Sequence, residues 1–78
     1  MMKVTLHSAE RNNYKRFCDI ADAVYEIRNE DGTQIGLLFL TYYVDGSLFI
    51  EWLELMSCFQ YNGYLRHVFA ELHRMFPD

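Results

Sequence analysis

Leu48-Phe49-Ile50-Glu51-Trp52-Leu53-Glu54-Leu55 is followed, after a short spacer, by Gln60-Tyr61-Asn62-Gly63-Tyr64-Leu65 and then by an amphipathic run to Phe76. The first segment is apolar on both alternating faces, with only the two glutamates interrupting it. That pattern predicts a central strand covered on each side. In the last segment Leu65, Val68, Phe69, Leu72, Met75 and Phe76 recur at the three-and-four spacing of one helical face. Arg66, His67, Ala70, Glu71, His73 and Arg74 fill the other face, and Pro77 stops the helix. Between strand and helix, a glycine-bearing turn leaves backbone N–H groups unpaired beside the positive end of the helix dipole. Such a turn holds a phosphate or pyrophosphate where Gly63 lets the backbone approach without a Cβ and Asn62 tolerates left-handed dihedrals. Asn-Gly is equally an ordinary turn dipeptide. Both readings stand on the pattern alone.

Working outward from this run, Thr33 to Tyr43 is a long strand rich in aromatic and β-branched residues, and Val44-Asp45-Gly46-Ser47 returns it into Leu48–Leu55. Asn29-Glu30-Asp31-Gly32 is a hairpin turn, preceded by a half-buried strand over Ala23 to Arg28 in which Val24 and Glu26 alternate with Tyr25 and Ile27. Further upstream, Tyr14, Phe17, Cys18 and Ala21 recur at helical spacing, predicting a helix from Arg11 to Ala21 with Ser8 as its cap. Lys3-Val4-Thr5-Leu6 reads as a short first strand. The expectation is one small α+β domain over residues 1–78: an antiparallel sheet of three to four strands with one N-terminal helix and one C-terminal helix.

At this point a resemblance enters. Leu55-Met56-Ser57-Cys58-Phe59-Gln60-Tyr61-Asn62-Gly63-Tyr64-Leu65 resembles the acetyl-CoA-binding motif of the GNAT N-acetyltransferase superfamily, whose core reads Gln/Arg-x-x-Gly-x-Gly/Ala between the fourth strand and the next helix. The hairpin from Val24 to Tyr43 resembles the family's second and third strands. The likeness is to a short, C-terminally truncated member, since the family continues into further strands and a helix that shape the acceptor site. Leu65 stands where the family has Gly or Ala. The resemblance implies the acetyl-CoA-binding half of a GNAT fold. It implies acetyl-CoA as substrate, held by backbone groups of Leu55 and Ser57 on the pantetheine arm and by the amides of Tyr61, Asn62, Gly63, Tyr64 and Leu65 on the pyrophosphate. Gln60 would anchor the turn and Arg66 would add charge to a phosphate.

The family reaction is attack of an amine on the acetyl thioester, with a carboxylate removing the amine proton and a strand N–H polarising the carbonyl. Glu51 and Glu54 are the candidate bases. On a regular strand, Glu51 shares a face with Phe49, Leu53 and Leu55, and Glu54 with Ile50 and Trp52. Each carboxylate is alternatively an ordinary strand residue that pairs with a base or reaches solvent. The rival to an acetyltransferase is a non-catalytic interaction module that keeps the truncated fold and holds a protein partner on an open edge and an aromatic surface.

Composition narrows the classes. Seven Lys and Arg against eleven Asp and Glu give a net charge of −4, so nothing global draws the chain to nucleic acid or an anionic membrane. Six Phe, six Tyr and one Trp in 78 residues argue for a packed core and for apolar surface left over for a homodimer. Cys18 and Cys58 show no metal or redox spacing and no secretory signal precedes them, so free thiols in the cytoplasm are expected. His67 and His73 are six apart, off the i, i+4 face of a two-histidine metal site, and no metal site is expected. Ser8, Ser47 and Ser57 lack a nucleophile-elbow context.

Overall fold

Four strands form one antiparallel sheet in the computed structural model, which describes residues 2–14 and 20–77. They are β1 (Thr5–Ala9), β2 (Ala23–Arg28), β3 (Gln34–Tyr42) and β4 (Leu48–Leu55), paired in chain order as an open meander. The one α-helix of the described residues, α1 (Tyr64–Met75), follows β4. The class is α+β, as the alternation of patterns predicts.

Each hairpin turn is closed by a short carboxylate or amide side chain. In the first, Asn29 Oδ1 accepts the N–H groups of Asp31 and Thr33, both at 3.0 Å, and Asn29 is the one buried polar residue of the described chain. In the second, Asp45 Oδ1 accepts Ser47 N–H at 2.9 Å and Ser47 Oγ–H at 2.6 Å, which holds its carboxyl below the usual range. These turns set the register that puts Val24 opposite Phe39 and Phe39 opposite Trp52.

One sheet face carries α1. Ile27, Leu38 and Leu40, all fully buried, form its floor with Ile50, Leu53 and Leu55 alongside, and Tyr64, Val68 and Leu72 close it from the helix. The other face has a smaller core of Ala21, Val24 and Phe39, partly covered by Tyr14, whose ring meets Phe39 edge-on at 6.3 Å.

Several expectations are corrected by this arrangement. The strand covered on both sides is β3, where Ile35, Leu38, Phe39 and Leu40 are all fully buried; β4 is an edge strand whose outer side meets no other strand among the described residues. The apolar stripe of α1 is also turned: Tyr64, Val68 and Leu72 are buried, while Leu65 and Phe69 stand 45% and 41% exposed on its shoulder. Tyr64 takes the leading core position because its ring packs on Phe59 at 5.8 Å and its hydroxyl donates to Glu30 at 3.1 Å. Ser8 does not cap a helix. It lies within β1, opposite Tyr25, and the described start of the expected N-terminal helix is a single 3-10 turn over Arg11–Tyr14. Consecutive Asn12 and Asn13, whose side chains compete for backbone hydrogen bonds, suit a short turn at Arg11–Tyr14. Residues 15–19 of that expected helix lie outside the described residues.

Gly36 pins the two longest strands together. A Cβ at this position would run into the carbonyl oxygen of Glu54 and crowd Leu55, so only glycine allows this spacing of β3 and β4.

Candidate functional site

The pairing of β4 decides what its residues present. Leu40 pairs with Ile50 but Phe39 pairs with Trp52, so Glu51 is an extra residue opposite the Phe39–Leu40 step, a bulge. The bulge resets the alternation. Ile50, Leu53 and Leu55 pack toward α1, whereas Phe49, Glu51, Trp52 and Glu54 lie on the opposite face. This corrects the face assignment of both candidate bases, which assumes a regular strand. Glu51 Oε2 accepts the Thr41 hydroxyl at 2.6 Å across the β3–β4 ladder, and Glu54 Oε1 accepts the Trp52 indole N–H at 3.3 Å.

The outer edge of β4 is open for hydrogen bonding. Met56 N–H donates to Ile35 O at 2.7 Å, so the alternation of the ladder turns the N–H and C=O groups of Leu55 and Leu53 away from β3. Leu55 O is taken by Gln60 Nε2 at 2.8 Å, which ties the following turn back to the strand. The N–H groups of Leu53 and Leu55 face outward beside it.

That turn begins with a 3-10 segment, Ser57–Phe59, and passes through Tyr61, whose φ of 65° is the only left-handed value for a non-glycine residue among the described residues. Gly63 follows as the helix N-cap with φ of 87°, a conformation in which a side chain would be strained. It has no side chain to cap the helix, so the first-turn N–H groups of Tyr64, Leu65 and Arg66 have no intrahelical acceptor. Asn62 donates to Cys58 O at 3.3 Å and steadies the preceding loop.

A cleft of about 450 Å³ lies between this turn and the end of β4, lined by Leu53, Glu54, Leu55, Gln60, Tyr61, Gly63 and Leu65. It therefore brings together Leu55, Gln60, Tyr61, Gly63 and Leu65 of the expected ligand stretch with one candidate base, Glu54. Ser57, Asn62, Tyr64 and Arg66 do not line it, and neither does Glu51. Tyr64 is withdrawn into the core, where burial and the Glu30 carboxylate raise its phenol further above its ordinary pKa. Arg66 is exposed on the first turn. Leu53 is the wall residue that motif reading misses; its signal is the outward parity shared with Leu55. A second cleft, about 270 Å³, lies between the β3–β4 turn and the end of α1, against Leu48, Phe69, Leu72, His73 and Phe76.

Among the described residues no cluster of His, Cys, Asp and Glu is arranged to hold a metal ion, and no helix is long and apolar enough to cross a membrane. No family model, curated protein or solved structure matches the chain.

Proposed function

We propose that the chain binds acetyl-CoA in the cleft between β4 and α1 and transfers the acetyl group to an amine. The observation that supports this is the convergence of Leu55, Gln60, Tyr61, Gly63 and Leu65 on one cleft with Glu54 at its wall. In this reading the amine nitrogen attacks the thioester carbonyl, the new C–N bond forms as the C–S bond breaks, and the sulfur leaves with the bonding pair. The proton acceptor in this reading is Glu54, which lines the cleft at the open strand edge and reaches the amine once its carboxylate leaves the Trp52 indole and turns around that edge, while an outward N–H of Leu53 or Leu55 polarises the carbonyl oxygen. Glu51, which does not line the cleft, is the less suited base. The uncapped amides after Gly63 and the side chain of Arg66 face the phosphates. Leu65 adds an apolar wall for the pantetheine arm. A second copy or a partner subunit completes the acceptor side, and the free, exposed thiol of Cys58 suits a cytoplasmic setting.

The test is a titration with acetyl-CoA followed by amide NMR. Saturable shifts from Leu53 to Arg66, abolished in Gly63→Val with the fold retained by circular dichroism, are expected; no shift at millimolar ligand overturns the proposal.

A second reading, a non-catalytic interaction module, is favoured by a different observation. Tyr43, Phe49 and Trp52 are about half exposed and Val44 is fully so, beside an unpaired strand edge.

A further inference from the structure

The outer face of β4, opposite α1, combines two features. Phe49 and Trp52 are 50% and 51% exposed, with Tyr43 set edge-on against Phe49 at 6.5 Å. Between and beside them stand Glu51 and Glu54, each holding a neutral hydrogen-bond donor and neither in an ion pair. Glu26 on β2, a further carboxylate of this face, is already neutralised by Arg28 at 2.8 Å. Neither β3 nor β4 contains a single Lys or Arg. The face thus offers aromatic rings beside two carboxylates that make no ion pair among the described residues, on strands that carry no cation.

From this charge and ring arrangement we infer that the outer face of β4 docks a cationic segment of a partner protein, a Lys- or Arg-bearing peptide. An ammonium or guanidinium over the Trp52 or Phe49 ring gains from the ring quadrupole, and its N–H groups reach the Glu51 and Glu54 oxygens. The Glu54 contact to the indole N–H fixes the Trp52 ring, which reduces the ordering cost of binding. The inference rests on the interaction-module reading and is independent of acetyl-CoA.

The test uses a dye-labelled peptide of alternating Lys and Ala, followed by fluorescence anisotropy at low and moderate salt, beside a Glu-Ala peptide and an uncharged apolar peptide of equal length. Saturable binding of the Lys-Ala peptide alone is expected, weakened by about tenfold in the double variant Glu51→Gln, Glu54→Gln. Trp52→Leu leaves the net charge unchanged and is expected to weaken binding by a similar factor, with circular dichroism confirming the fold. A control that removes two exposed charges elsewhere, Glu10→Gln with Asp31→Asn, is expected to change affinity less than about twofold. Equal weakening in that control, or full affinity in Trp52→Leu, would reduce the effect to the net charge of the protein and overturn the inference. Equal binding of the uncharged peptide would keep the interaction reading and sink its cationic specificity; binding of none would sink both.

Discussion

β3 and β4 are neighbours of similar apolar content, yet one is the most buried strand of the sheet and the other stands half open. In β3, Ile35, Leu38, Phe39 and Leu40 are all fully buried, because strands flank it on both edges and cores form on both faces. In β4, Leu53 and Leu55 pack toward α1 while Phe49 and Trp52 face outward, and the far edge keeps its N–H groups. The difference teaches that hydrophobic content measures how much a strand can bury. Its place in the sheet decides how much it does bury.

The largest expected contrast tests that placement directly. Phe39→Ala should cost about 3–5 kcal/mol in urea unfolding, since it opens a cavity in a closed core. Trp52→Ala, at the paired position in β4, should cost only about 1 kcal/mol, because half of the ring already meets water. Comparable losses would mean that β4 is covered as well as β3. Next in size, Gly36→Ala should destabilise by about 2–3 kcal/mol, as the new methyl forces the Glu54 carbonyl away and loosens the join between the two strands. Amide exchange should then accelerate in β4 more than in β2; uniform acceleration would argue against a local effect. Thr41→Val removes the hydroxyl that ties β3 to Glu51 of the bulge and should lower stability by about 1 kcal/mol in the same unfolding assay.

The smallest effect separates the two outer carboxylate environments. The hydrogen bond from Arg28 holds the Glu26 carboxyl below its ordinary value of 4.5. A carboxylate with a lowered folded pKa stabilises fully above the unfolded value and loses that contribution as pH falls through the folded one. Wild-type protein should therefore exceed Arg28→Met in stability by a constant margin at neutral pH, and the margin should shrink as the solution is acidified below pH 4.5. A margin that persists in acid would assign the role of Arg28 to packing.

The parts of the fold legible in the sequence are those set by local chemistry. Asn29 to Gly32 specifies the first hairpin through its own side-chain hydrogen bonds, and the strand, turn and helix after Leu48 are found where periodicity puts them. The edge position of β4 was not legible, because an eight-residue strand interrupted only by two glutamates suits a central position equally well. The Glu51 bulge was hidden for a similar reason: one extra residue leaves composition unchanged while exchanging the faces of everything after it. On α1, Leu65 and Tyr64 both fit an apolar stripe, and the choice fell to Tyr64 through Phe59 in the preceding turn and Glu30, a partner distant in sequence. At the candidate site, Gln60 and Gly63 were readable as turn residues. Leu53 joined them only through an edge that pairing in three dimensions creates.

The absence of a side chain at Gly36 also bears on how the sheet assembles. Slide β4 by one residue along β3 and either Ile35 or Leu37 is brought to the place opposite Leu55, where a Cβ meets a backbone oxygen. The glycine thus works as a keyway: of the alignments open to two greasy neighbouring strands, it admits one and rejects its nearest competitors while the hairpin is still forming.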